Sequence, residues 1–199
     1  MKDNKLNQEE LKDLVNRSQK NYEVERKFIL NELPKEVIQN STITEITQYY
    51  ILNDAYDTNH MSMTRVRKII DTDNNITYIQ TIKNPIGSDF AVSETETFLT
   101  KDEFDYFVNI SDSSISKKRY TLTIDDNKWE IDKFHELDII IAELEKIGTN
   151  LDNAIELEKE IMDIKIPISL QSYISEEVTG KLEWSNKNLS LKVKEKLAK

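Results

Sequence analysis

From Tyr22 to about residue 146 the chain alternates apolar and polar residues with a period of two, in short runs separated by turn-forming residues. Alternation of this kind puts successive side chains on opposite faces of a strand, whereas a helix repeats its apolar positions every three to four residues. It predicts strands near 22–30, 45–52, 61–71, 76–83, 90–99, 117–125, 128–134 and 138–146. Asp73-Asn74-Asn75 and Asp125-Asp126-Asn127 fall between strands and read as hairpin turns, because short Asp and Asn side chains bond to their own backbone. Helical spacing fits 34–39, 150–162 and 100–109, where Lys101-Asp102-Glu103 opens a run carrying Phe104 and Phe107. Residues 1–20 are polar, with Leu6, Leu11, Leu14 and Val15 roughly on one helical face, which fits either a short docking helix or a loose extension. The expected architecture is one domain rich in antiparallel strands with helices packed on it.

The charges follow the same alternation. Glu23, Glu25 and Lys27 share a face with Val24 between, and Arg65 and Arg67 share one across Val66. Lys83 ends a strand. Glu94 pairs with Glu96, Lys117 with Arg119, Glu130 with Asp132 around Ile131, and Glu143 with Glu145 around Leu144. An ordinary half-buried strand turns such a face to water. The intervening Val24, Phe28, Val66, Ile82, Ile131, Ala142 and Leu144 could line a core beneath an outward charged face. They could equally sit under covering helices on the outside of a barrel whose charges point in. Periodicity alone leaves both open.

Composition narrows what a charged interior could do. The chain has 199 residues, with 37 Asp and Glu against 27 Lys and Arg, so its net charge is −10. An acidic chain repels nucleic-acid phosphates at long range, so an anionic ligand needs a local cluster of cations, and no nucleic-acid partner is expected. The absence of cysteine excludes disulfides, thiolate metal sites and cysteine nucleophiles. The start, Met-Lys-Asp-Asn-Lys, is followed by no apolar run, and no stretch approaches a membrane span. A soluble, cytoplasmic protein with no membrane partner is the expectation. Arg and Lys facing inward would grip phosphate oxygens, and clustered carboxylates would hold a hard divalent cation. Such an interior selects a ligand of high negative charge.

These residues resemble a known family. Glu23-Val24-Glu25-Arg26-Lys27-Phe28 is similar to the Glu-x-Glu-x-Lys signature of the CYTH superfamily, the triphosphate tunnel metalloenzymes. The resemblance continues in order through Gln48-Tyr49-Tyr50, Arg65-Val66-Arg67, Thr81-Ile82-Lys83, Glu94-x-Glu96, Lys117-x-Arg119-Tyr120, Trp129-Glu130-Ile131-Asp132-x-Phe134 and Ala142-Glu143-Leu144-Glu145. Glu177-Val178-Thr179-Gly180 and Trp184-Ser185-Asn186-Lys187-Asn188-Leu189 look like the terminal segment of the short bacterial branch, which is similar to inorganic triphosphatases (tripolyphosphatases). The resemblance implies a mainly β, α+β fold: a closed eight-stranded antiparallel tunnel barrel with a charged interior and helices outside. The tunnel domain would span 22–190, after an extension at 1–21 and before a basic tail at 191–199.

The resemblance also implies a site. Glu23, Glu25, Glu143 and Glu145 would hold Mg2+ or Mn2+. Lys27, Arg65, Arg67, Lys83, Lys117 and Arg119 would bind the phosphates, with Lys27 and Lys83 as catalytic cations. Glu94, Glu96, Glu130 and Asp132 would be further tunnel carboxylates. The implied reaction is in-line attack of water on the terminal phosphoryl group of inorganic triphosphate or a nucleoside triphosphate. A class IV-type adenylate cyclase, a thiamine-triphosphatase and a non-catalytic triphosphate-binding protein would share most of these residues, and a homodimer is compatible with them. The chain departs from the pattern at Phe134-His135-Glu136-Leu137-Asp138, a shorter hairpin without glycine, and at Ala91-Val92-Ser93, where the family often carries Arg before Glu-x-Glu. His60 and His135 read as surface or loop residues, Trp129 and Trp184 as packing residues, Gly180 as a turn and Lys192–Lys199 as a solvated helix end.

Overall fold

The structure is a computed structural model that describes residues 13, 16–51, 62–88 and 91–198. In chain order its elements are β1 (Ser18–Leu30), α1 (Lys35–Asn40), β2 (Thr42–Ile51), β3 (Met63–Ile70), β4 (Ile76–Pro85), β5 (Ala91–Phe98), α2 (Lys101–Asn109), β6 (Ser113–Ile124), β7 (Asn127–Phe134), β8 (Ile140–Gly148), α3 (Leu151–Asp163), α4 (Ile168–Gln171), β9 (Ile174–Glu177), a 3-10 turn at Leu182–Trp184 and α5 (Asn186–Leu197). Leu6, Leu11, Leu14 and Val15, on which the possible N-terminal helix rests, and His60 lie outside the described residues.

The strands pair antiparallel in the order β5-β4-β3-β2-β6-β7-β8-β1, and β1 returns to β5 to close an eight-stranded barrel. β1, thirteen residues long, makes the closure. One side of its first half pairs with β5, from Ser18↔Thr97 to Val24↔Ala91, and the same side of its end takes the outer strand β9 at Phe28↔Glu177. Its other side runs along β8 from Tyr22 to Leu30. Closure leaves neither β1 nor β5 as a free edge, the usual liability of an open sheet.

Local chemistry builds the connections. Asp125 and Asp126 both have positive φ, 49° and 61°, between the paired residues Ile124↔Asn127, so the β6–β7 hairpin is a two-residue turn of the kind whose twist matches the strands. Asn127 therefore belongs to β7. At the β3–β4 turn the Asp71 carboxylate accepts from the backbone of Asp73 and Asn75 while Asn74 takes the left-handed conformation. α2 begins with a reciprocal capping box between Thr100 and Glu103. The short β7–β8 connection closes without glycine because both Glu136 oxygens accept from Ser116 N at 3.1 Å, pinning the loop to β6.

Two apolar cores settle which face is inside. Val24, Phe28, Trp129, Ile131, Ala142 and Leu144 lie on the outer face, buried against Ala154 and Ile161 of α3. Phe28 and Trp129 stack at 5.8 Å. α2 covers another part of the wall, with Phe104 against Tyr49 and Tyr78. The second core fills the barrel interior at one end: Tyr50, Ile115, Phe134 and Ile141 pack against Leu189 and Val193 of α5. Burying the aliphatic face under helices leaves the charged face of the strands to the interior.

Candidate active site

Inside the barrel a cavity of about 670 Å3 is lined by alternate residues of seven strands. β1 supplies Glu23, Glu25 and Lys27; β3 supplies Arg65 and Arg67; β4, Lys83; β5, Glu94 and Glu96; β6, Arg119; β7, Glu130; β8, Glu143 and Glu145. Twelve of the fourteen site residues expected from the sequence thus share one chamber. The other two, Lys117 and Asp132, lie on the same strand faces but beneath the chamber, 1% and 0% exposed, next to the apolar plug.

Every one of the eight carboxylates is met by a cation. Lys83 Nζ pairs with Glu23 and, at 3.0 Å, with Glu94. Lys27 Nζ lies 3.0 Å from both Glu25 and Glu143. Arg67 pairs with Glu96. Arg119 reaches Glu130 and Glu143, and its Nε and Nη2 donate to the two Asp132 oxygens at 2.7 and 2.6 Å. Lys117 Nζ closes on Asp132 at 2.5 Å. Burial opposes the charge on Lys27 and Lys83, but their carboxylate partners prevail and hold both ammonium groups above the ordinary lysine range. Lys117 goes the other way: burial and the nearby Arg119 bring it down to about 8 despite Asp132.

Arg65 differs from the other cations. It is 7% exposed, and among the described residues no carboxylate stands within ion-pair distance; it bonds to Tyr50, and its Nε, like that of Arg67, has no hydrogen-bond partner. A buried guanidinium that lines a cavity and is paired with no carboxylate can take an anion from outside.

Three groups of residues at or beneath the chamber carried no site role in the sequence reading. Lys128 bridges Glu130 at 2.7 Å and Glu145 at 2.8 Å. Its spacing from Glu130 and Asp132 places it on the same face, and that alternation could have found it. Thr179, Lys181, Ser185 and Lys187 line the chamber from the C-terminal stretch, which carries no period-two pattern. Gln48 and Tyr50 of β2 lie buried beneath it, joined at 2.8 Å. The discounted residues behave as packing or surface groups: Trp129 is in the outer core, and His135 is exposed beside Glu45 at 2.8 Å. Among the described residues no three carboxylates or imidazoles are grouped as a ready metal site, and no helix is long and apolar enough to cross a membrane.

No family model and no curated protein matches the chain. Solved structures do. An inorganic triphosphatase, NE1496, aligns over 85% of this chain and 94% of its own with 21% identity and a TM-score of 0.51. The PH1819 protein of Pyrococcus horikoshii OT3 aligns over 87% and 99% with 16% identity and a TM-score of 0.64. The PH1012 protein of the same organism aligns over 80% and 98%, with 16% identity and a TM-score of 0.52. The likeness is one of fold. The chain has the closed eight-stranded antiparallel barrel that its ordered motifs lead one to expect.

Proposed function

We propose that the chamber binds a triphosphate and, with a divalent metal, hydrolyses its terminal phosphoryl group. The observation that carries this reading is Arg65, which has no ion-pair partner among the described residues, within a ring of Lys27, Arg67, Lys83 and Arg119 in one cavity. Cations so arranged suit an anion with many oxygens, because each guanidinium offers a planar fork and each ammonium a point charge. Arg65 and Arg67 would bind the phosphate chain. Lys27 and Lys83, held protonated, cannot act as bases; they would stabilise the charge that develops on the transferred group. The barrel likeness to an inorganic triphosphatase supports the same reaction class, with inorganic triphosphate as the first substrate to test and nucleoside triphosphates next.

The metal expectation agrees with the chemistry of the donors. Glu23, Glu25, Glu143 and Glu145 are oxygen ligands on the neighbouring strands β1 and β8, with Glu25 directly opposite Glu145. Burial, with Glu143 and Glu23 near Glu25 and with Glu130 and Glu23 near Glu145, raises both carboxyls, Glu145 to about 7. That marks an excess of negative charge which a cation relieves. These four would hold Mg2+ or Mn2+ after turning from Lys27, Lys83 and Lys128. Bound there, the ion would neutralise phosphate oxygens and lower the pKa of water. The named cations and carboxylates nearly balance at rest, so a highly charged anion needs accompanying cations to enter.

A second reading, sequestration without turnover, is favoured by one observation: lysines already occupy the carboxylates that a metal would use. Phosphate release from tripolyphosphate, nucleoside triphosphates and thiamine triphosphate, each with Mg2+, Mn2+ or excess chelator, separates the two. Metal-dependent release is expected. Tight binding with no release under any condition would replace hydrolysis by sequestration, and pyrophosphate release from ATP would indicate a cyclase.

A further inference from the structure

We infer that Arg26 and Glu177, neither of which lines the chamber, are positioning residues that hold the stretch 178–188 in place as chamber wall and so set how tightly a triphosphate is gripped. The inference rests on the reading of the chamber as a triphosphate site.

Arg26 lies between Glu25 and Lys27, so the alternation of β1 sends it to the outer face. There it is 6% exposed, with its guanidinium carbon 5.1 Å from the Phe28 ring centre. Its donors are shared between two segments far away in the chain. Nε and Nη2 form a fork on Glu177 of β9, at 2.9 and 3.0 Å. Nη1 donates to the carbonyl of Ile161 at 3.2 Å, which also accepts from Ile164 N at 3.4 Å, and to that of Ile164 at 2.9 Å, at the C-terminal end of α3. A lysine has no planar fork and could not make this set of bonds.

From Glu177 the connection turns inward. Glu177 Oε1 accepts from Thr179 Oγ1 at 2.9 Å, and the same hydroxyl accepts from Lys27 N at 3.0 Å. Val178 N donates to Lys27 O at 2.8 Å. The C-terminal stretch is thus fastened to the backbone of the residue whose side chain sits between Glu25 and Glu143. Beyond Thr179 the chain turns at Gly180, φ 72°, and delivers Lys181, Ser185 and Lys187 to the chamber wall. Apolar burial holds the stretch at Val178, 1% exposed, and at Trp184, packed against the second core, while Leu182 between them is 76% exposed. The polar chain Arg26–Glu177–Thr179, with Val178 beneath it, fastens the start of the turn to β1.

The test uses Glu177→Ala, Arg26→Met and Glu177→Gln in the full chain, read by amide hydrogen exchange and by tripolyphosphate binding and turnover. Exchange over 178–188 is expected to quicken about tenfold or more in Glu177→Ala and Arg26→Met, with β7 and β8 unchanged. Glu177→Gln keeps an oxygen to accept from Thr179 but loses the charged fork, and should lie between wild type and Glu177→Ala. Tripolyphosphate Kd and KM should rise about tenfold in the first two variants, with kcat within about twofold of wild type. Unchanged exchange and affinity would overturn the inference, as would faster exchange across the whole barrel or a fall in kcat at constant KM. A wild-type protein that binds no triphosphate would overturn the functional reading and the ligand half of this inference, while the exchange pattern would still report whether the anchor exists.

Discussion

Glu143 and Glu145 share the inward face of β8, two residues apart, and their surroundings push them in opposite directions. Burial raises both. Around Glu143 the cations win: Lys27 Nζ and Arg119 Nη2 each lie 3.0 Å away, Lys117 is near, and the carboxyl is held well below its usual range. Around Glu145 burial is reinforced by Glu130 and Glu23, Lys128 at 2.8 Å does not offset them, and the carboxyl rises to about 7.

The two carboxylates should therefore respond oppositely to the same substitution in metal-free buffer. A depressed pKa contributes stability above the unfolded value, about 4.3, that is lost as pH falls through the folded value. Glu143→Gln should destabilise by about 3 kcal/mol at pH 7, the scale of breaking a buried pair, with the deficit shrinking below about pH 4. A raised carboxyl does the reverse, since the folded state binds the extra proton between about 4.3 and 7, so stability falls as pH rises through that window. Glu145→Gln should stabilise by about 1–3 kcal/mol at pH 8 and by nothing near pH 4. Urea unfolding of both variants across pH 4–8 checks the signs, and two curves of the same sign would contradict this account.

Metal binding should carry the same proton. If Glu145 is a ligand, loading Mn2+ at pH 6 displaces its proton, so apparent affinity rises with pH and levels off above about 7. Calorimetry in buffers of different ionisation enthalpy measures the released proton. Affinity independent of pH from 5.5 to 8 would remove Glu145 from the metal set.

Asp132 anchors Arg119 from below and has no exposure of its own. Asp132→Asn leaves Arg119 and Lys117 short of a buried counter-charge and should destabilise by about 3–5 kcal/mol. Lys117→Met should cost much less, within about 1.5 kcal/mol. Asp132 keeps its fork with Arg119, and the lowered Lys117 pKa shows that the ammonium is poorly compensated. Denaturant midpoints at pH 7 rank the pair.

Arg65 and Val66 point to opposite sides of the same wall. Arg65→Ala removes a chamber donor with no ion-pair partner among the described residues, so it should lower kcat/KM by about 2–4 kcal/mol of transition-state stabilisation at little cost in stability. Val66 is fully buried in the outer packing, and Val66→Thr should cost about 1–2 kcal/mol of stability with kcat/KM nearly unchanged. Steady-state kinetics beside thermal unfolding gives both numbers, and equal kinetic losses would mean that the strand face is misassigned.

Much of the barrel was legible because its signal is local. Arg65 and Arg67 must share a face, as must Glu143 and Glu145, since side chains alternate along any strand. The paired Asp125 and Asp126 mark a tight hairpin wherever it lies. β6 begins at Ser113, ahead of the expected 117, because it pairs with β2 as far as Tyr50↔Ser113, and Ser113 also bonds to Ser190 of α5 at 2.8 Å, contacts across distant positions that no local pattern shows. For a similar reason the short β9 was missed and the lysine-rich α5 was read only as a solvated helix end from residue 192. β9 is a four-residue edge strand, and α5 buries only Leu189, Ser190 and Val193.

Residue order along the chain therefore determined which side chains stand together on a face, their charge, and the class of ligand that such a face could take. Whether that face looked in or out was decided only when β1 closed on β5 and α3 buried Val24, Ala142 and Leu144 on the other side. Depth was decided in the same way. Lys117 and Arg119 are equivalent in the alternation of β6, yet α5 and the plug of Ile115 and Phe134 seal the first beneath the chamber and leave the second lining it. A period of two is a property of neighbouring residues, whereas inside, outside and depth come from packing between segments distant in the chain, which periodicity does not encode.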